Sequence, residues 1–182
     1  MNFLKSFFTF SWDIIKVAVI ALILAGLVRY FLVQPFFVEG ASMEPNFEDG
    51  EYLLIDEISY YFKLPQRGEV IVFHYPLDAS KYYIKRVVGL PGETVGIKNS
   101  RVKIYNDNNS DGFFVVENYL PREGVTSGDI KKKLGRSEYF VLGDNRLASS
   151  DSRQWGVLPR DDIVGRVWLR AWPVARASVF SY

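Results

Sequence analysis

Between Lys16 and Arg29 the chain carries twelve uncharged, mostly aliphatic residues, VAVIALILAGLV, and the rest of the fold has to be built around that segment. As a helix, twelve residues span about 18 Å, short of the roughly 30 Å hydrocarbon core of a bilayer. Trp12 and Tyr30, 18 positions apart, extend the reach to about 27 Å, and they are residue types favoured at the two membrane interfaces. Lys16 and Arg29 can then reach outward from just inside each end. A buried core helix and a cleaved signal peptide are the alternatives. Against cleavage, the run is followed by RYFLVQPFFV, which offers no small-x-small site. The expectation is an uncleaved transmembrane anchor over residues 1–34. Lys5 and Lys16 on one flank against Arg29 on the other put the N-terminus in the cytoplasm and residues 35–182 outside.

From Pro35 onward the pattern becomes short β-branched and aromatic runs separated by turn signals. Strands are expected over 51–58, 69–75, 82–89, 95–105, 112–120, 138–143 and 163–172, with PQRG, LPGE, NDNNSDG and LPRD between them. One helix is expected, over 126–134, with Thr126 or Ser127 as N-cap and Gly135 just past its end; residues 131–133, all lysine, would form its solvated face. The fold class is therefore mainly β, an antiparallel barrel or sandwich behind one N-terminal helix. No internal repeat is visible.

The chain has no cysteine and one histidine, His74. Disulfides, thiol nucleophiles and thiolate metal sites are excluded together, and a Ser/His/Asp triad could use only His74. The formal charge of +1 gives no field that would draw nucleic acid. No metal or other cofactor is called for.

Ser42 lies in FFVEGASMEPNFEDGE, a Gly/Ala/Pro-flanked turn that exposes its hydroxyl; taken alone, it reads equally as an ordinary turn serine. Lys85 falls mid-strand in YYIKRVVGL with Tyr83 and Val87 on its own face. An unperturbed lysine is neutral at pH 7 in only about one molecule in two to three thousand, whereas burial that lowers its pKa to about 8 makes roughly a tenth competent as a base. The alternative is a solvent-facing lysine paired with an acid. Arg86 faces the other way, so one of the two cations is expected inside. A third segment, GDNRLASSDSRQWG, is dense in polar groups, and a structural turn network of Asp144, Arg146, Asp151 and Arg153 explains most of it.

Taken together and in order, SMEPN, RGEVIVFHYP, YIKRVVGLPGE and GDNRLASSDSRQWG resemble the boxes of bacterial type I signal peptidases, over roughly residues 12–173. The resemblance implies a membrane-bound serine endopeptidase in which Ser42 is the nucleophile, Lys85 the neutral base and Ser149 the hydroxyl that orients the lysine. Asp151 and Arg153 would support the site, and Asp144 and Arg146 would hold the turn. The oxyanion would be met by the Ser42 N–H; where one branch of the family has a serine two residues before the nucleophile, this chain has Gly40. Asn46 stands for a more usual threonine, Leu147-Ala148 for Asp-Asn, and 99–137 is short beside the insertion some members carry. The implied partners are membrane lipid and the signal peptides of secretory preproteins, bound as an added strand against Phe36, Val38, Gly40, Met43, Phe47, Tyr83 and Ile84. These positions read equally as core. A silent peptide-binding relative would lack Ser42 or Lys85; a soluble self-cleaving repressor would lack the anchor and carry a DNA-binding segment.

Overall fold

The computed structural model describes residues 2–31, 33–122 and 125–182. Helix α1, Asn2–Phe31, runs for 30 residues, about 45 Å. Its described side chains include Phe10, Trp12, Ile14, Ile15, Val17, Val19, Ile20, Leu22 and Ile23, all exposed and uncovered by protein. Lys16 pairs with Asp13 at 3.1 Å. Among the described residues no helix is long and apolar enough to cross a membrane. The side chains of Lys5, Arg29 and Tyr30, on which the expected interface and orientation depend, lie outside the described residues.

Among the described residues twelve strands follow in chain order: β1 Val33–Phe37, β2 Tyr52–Asp56, β3 Val70–Tyr75, β4 Asp78–Gly89, β5 Thr94–Lys98, β6 Arg101–Asn106, β7 Asn109–Phe114, β8 Ile130–Lys133, β9 Glu138–Leu142, β10 Leu158–Pro159, β11 Ile163–Trp172 and β12 Ser178–Val179. They form two antiparallel sheets. The larger runs β1-β2-β11-β3-β4-β9-β10 with β12 on β11, and the smaller runs β7-β6-β5-β8. Pro35 is tolerated because β1 is an edge strand.

Side-chain alternation distributes the core. Val70 and Val72 of β3 pack with Val38, Met43, Phe47 and Leu53, while Ile71 and Phe73 pack with Val87, Tyr139 and Val141. A strand apolar on both faces must be covered on both, so the centre of the larger sheet is a rigid, dry support. A third cluster of Val88, Val95, Val102, Ile104, Leu134 and Phe140 joins the smaller sheet to it.

Three expectations change. The run 95–105 is a hairpin rather than one strand: Lys98 pairs with Arg101, and the two residues between, Asn99 and Ser100, have φ of 52° and 59°, the left-handed pair that a two-residue I′ turn demands. The expected strand 112–120 ends at Phe114, and NDNNSDG, expected as a loop, gives its last four residues, Asn109–Gly112, to β7. The expected helix over 126–134 is absent; residues 130–133 are strand β8, pairing Ile130 with Ile97 and Lys131 with Gly96. Lysine's helix propensity is a weak preference. It loses to the ladder hydrogen bonds that β5 would otherwise leave unmade and to the burial of Leu134 in the third cluster. Thr126, expected as an N-cap, instead accepts a hydrogen bond from Arg146.

Candidate active site

Three segments converge. The first is the turn after β1. Val38 N–H donates to Glu51 O at 2.9 Å and Gly50 N–H to Val38 O at 3.0 Å, which closes the turn at its base. Met43 and Phe47 are fully buried in the first core cluster and peg the turn down, leaving Ser42 partly exposed between them and Ala41. Gly40 has φ +85°, a conformation that side chains strain, and its N–H donates to Asp49 Oδ1 at 2.7 Å.

The second is β4, whose pairing with β3 sets Lys85 opposite Ile71 and Arg86 opposite Val70. Both cations are buried, Lys85 at 3 % exposure and Arg86 at 7 %. The expectation that only one points inward is corrected, because both faces of the sheet are covered here. Lys85 Nζ lies 2.7 Å from Ser42 Oγ and donates to Ile84 O at 2.8 Å. Its ammonium is near no carboxylate at ion-pairing distance among the described residues. Burial lowers the Lys85 pKa to about 8, against the opposing pull of the Asp151 and Asp144 charges.

The third is the loop after β9. Asn145 N–H donates to Ser42 O at 3.0 Å and Asn145 Nδ2 to Ala41 O at 3.0 Å, so this loop is stitched directly to the turn that carries Ser42. Gly143 makes the approach possible. A Cβ there would sit 2.2 Å from Ser149 Oγ and 2.5 Å from Ser42 O. Ser149 is buried, and its Oγ has no hydrogen-bond partner among the described residues; no bond joins it to Lys85. Asp151 caps the short helix α2, Ser152–Trp155, through the Arg153 N–H. It also takes both prongs of the Arg153 guanidinium at 2.8 Å and the Gly143 N–H at 3.1 Å.

The side chains of Asp144 and Arg146 are not bonded to each other, although Arg146 N–H donates to Asp144 O at 3.0 Å. Asp144 holds Arg86 at 2.8 and 2.5 Å and accepts from Asn46 Nδ2 at 2.8 Å. Arg146 donates to Gly143 O at 3.0 Å and pairs with Glu117. Arg86, Asn46, Glu117 and Gly143 are thus site-supporting residues that sequence reasoning passed over. For Arg86 the signal was available, since an arginine beside a strand-buried lysine needs an acid; for Glu117 there was none.

An open groove of about 630 Å³ runs past Ser42 and Lys85, lined by Phe36, Val38, Tyr83 and Ile84 with Phe37 and Tyr82. Four of the seven expected peptide-binding residues are therefore on it. Met43 and Phe47 are not: they are spent in the core holding the turn. Gly40 is not in the lining either. His74 sits on the β3–β4 hairpin, its Nδ1 2.9 Å from Ala79 O.

A buried serine–lysine contact beside an apolar groove has the parts for acyl transfer: a hydroxyl, an amine that burial leaves partly unprotonated at neutral pH, and a channel for an extended chain. Comparison with known proteins gives the family. The profile of the family described as Signal peptidase, peptidase S26 matches residues 11–172. The chain is 38 % identical to signal peptidase I of Leptolyngbya laminosa, over 89 % of this chain and 80 % of that one. It is 33 % identical to signal peptidase IB of Staphylococcus aureus strain MRSA252, over 93 % of this chain and 91 % of that one. A crystal structure of a signal peptidase I from Enterococcus faecalis V583 aligns with a TM-score of 0.49 and 30 % identity, over 58 % of this chain and 97 % of that one. With the family profile covering all but the first ten and last ten residues and relatives matched nearly end to end, the chain belongs to the signal peptidase family, peptidase S26.

Proposed function

We propose that this chain is a membrane-anchored serine endopeptidase that removes signal peptides from exported preproteins through Ser42 and Lys85. The observation that carries the reading is the 2.7 Å contact between Ser42 Oγ and Lys85 Nζ, made by a lysine that burial holds at a pKa of about 8. At pH 7 about a tenth of such amines are neutral. In that fraction the Ser42 O–H donates to the Nζ lone pair. As Oγ attacks the scissile carbonyl, the proton passes to Nζ, and the Ser42 N–H is the donor offered to the oxyanion. Collapse breaks the C–N bond, the new ammonium returns its proton to the leaving amine, and Ser42 is left acylated. Lys85, neutral again, takes a proton from water as that water attacks the ester; collapse then breaks the bond between the acyl carbon and Ser42 Oγ, Lys85 returns the proton to Oγ, and the signal peptide leaves with a new C-terminal carboxyl group. Ser149 is assigned the third N–H of the ammonium, because its buried Oγ has no hydrogen-bond partner among the described residues. Asp151 with Arg153, and Asp144 with Arg146, are assigned the support of that loop.

The substrate is read as an extended strand in the groove between β1 and β4, its side chains against Phe36, Val38, Tyr83 and Ile84. The anchor reading rests on α1. Between Val17 and Ile23 the helix exposes apolar side chains that no protein covers, and such a stretch needs another apolar medium; residues 17–28 carry no charge. Lys5 and Lys16 against Arg29 favour an N-terminus in the cytoplasm with the β domain outside the cytoplasmic membrane.

The test is cleavage of a secretory preprotein by the purified chain in detergent. Ser42→Ala and Lys85→Ala are each expected to lower kcat by at least about a thousandfold while melting remains cooperative. Residual cleavage within about tenfold of wild type by either variant would remove that residue from its role.

A further inference from the structure

Resting on that catalytic reading, we propose that Tyr119 and Glu117, which lie outside all three segments of the site, are positioning residues that hold the nucleophile turn, the base strand and the Ser149 loop in one register.

The segment after β7 ties together points that are distant in sequence. Tyr119 O accepts from Asn46 Nδ2 at 2.8 Å, four residues beyond Ser42. The Arg86 guanidinium, one residue beyond Lys85, lies 4.1 Å from the centre of the Tyr119 ring. Glu117 takes the Arg146 guanidinium, three residues before Ser149, on both carboxylate oxygens. The clasp also closes on itself, since Tyr119 O–H donates to Glu117 Oε1 at 2.8 Å. Arg146 is 1 % and Glu117 9 % exposed in the side chain, so water does not substitute for either partner.

The consequence for chemistry runs through Arg86. Lys85 is faced by Ser42 from the turn, by Tyr83 on its own strand at 5.4 Å from the ring centre, and by the charges of Asp151 and Asp144 from the loop, both of which favour its ammonium form. Glu39 and Lys81 stand further out on the groove. Arg153 neutralises Asp151 and Arg86 neutralises Asp144. A stacked ring is a geometric constraint on a guanidinium. Losing it loosens Arg86 from Asp144, leaves more of the aspartate's charge acting on Lys85, and makes the lysine a scarcer base.

The test measures kcat and KM of the full-length chain on a preprotein in detergent from pH 6 to 10, with unfolding followed over the same range. Tyr119→Leu is expected to lower kcat about tenfold with KM within about twofold, and to move the alkaline rise of activity upward in pH by about half a unit or more. Tyr119→Phe keeps the ring and the backbone acceptor and is expected within about threefold of wild type. Glu117→Gln, isosteric and foldable, is expected between the two. An unchanged kcat and pH profile in Tyr119→Leu, with only a lower Tm, overturns the proposal. Should Tyr119→Leu fail to fold, a Glu117→Gln variant that melts like wild type and cleaves like wild type overturns it equally. Ser42→Ala in the same assay separates the two readings: if it cleaves like wild type, the catalytic assignment has failed. The pH dependence of unfolding, which reports Lys85 without turnover, still decides whether Tyr119 acts on that lysine.

Discussion

Lys85 and Arg86 are neighbours on β4, both buried, and their surroundings treat the same charge in opposite ways. Arg86 meets Asp144 through two contacts of 2.8 and 2.5 Å, donates to Gly68 O at 2.7 Å and lies on the Tyr119 ring. Burial would lower its pKa, but the hydrogen bonds and charge of Asp144 more than offset that and hold it above its ordinary value. Lys85 has neutral oxygens for partners, Ser42 Oγ and Ile84 O, and burial brings it down to about 8. A buried cation with a matched carboxylate is a structural joint, whereas one without is a base.

Removing the match should break that contrast most sharply. Asp144→Ala leaves Arg86 buried and uncompensated and is expected to cost about 3–5 kcal/mol in denaturant unfolding. A loss below about 1 kcal/mol would mean that Arg86 is satisfied elsewhere and that the two faces of β4 are not so different.

The opposite substitution should stabilise. Lys85 titrates at about 8 when folded against an ordinary 10.5, so between those values the unfolded chain binds more protons and stability rises with pH. Below pH 8 the full penalty of burying the ammonium is present, up to about 3 kcal/mol from a shift of this size. Lys85→Met is therefore expected to unfold at higher denaturant than wild type at pH 6–7, with the gap closing as pH approaches 10.5. A variant less stable than wild type at pH 6 would show that the amine is hydrated or paired after all.

This contrast was half legible in the sequence. The alternation YYIKRVV marked β4 and put Lys85 and Arg86 on opposite faces, because period-two patterning is local and strong. It did not reveal that both faces are covered, since the covering segments come from residues 40–50 and 115–122, far away in the chain. The site shows the same division. Lys85 and the polar loop from Asp144 to Asp151 stood out because their residue types are unusual where they occur, whereas Ser42, an ordinary turn serine by itself, stood out only beside them. Met43 and Phe47 looked like pocket residues, since an apolar side chain beside a nucleophile reads the same whether it faces substrate or core; only their complete burial distinguishes them. The expected helix over 126–134 failed for a related reason, because the β5 edge that recruits it as β8 lies some thirty residues upstream.

The smallest test concerns how the Lys85 face is closed. A Cβ at Gly143 would lie 2.2 Å from Ser149 Oγ, 2.4 Å from Ser149 Cβ and 2.5 Å from Ser42 O, against ordinary contacts of about 3.5–4.0 Å. Gly143→Ala is expected to cost about 1–3 kcal/mol as the loop gives way and to lower kcat, since the loop that must yield carries Ser149 and is bonded to Ser42 O through the Asn145 N–H. Combining it with Ser149→Gly removes two of the three clashes and leaves the one with backbone. Partial recovery of stability in the double variant would place the strain between Gly143 and Ser149 as well as at the nucleophile turn. No recovery would assign all of it to Ser42 O and make the turn itself the part that cannot move.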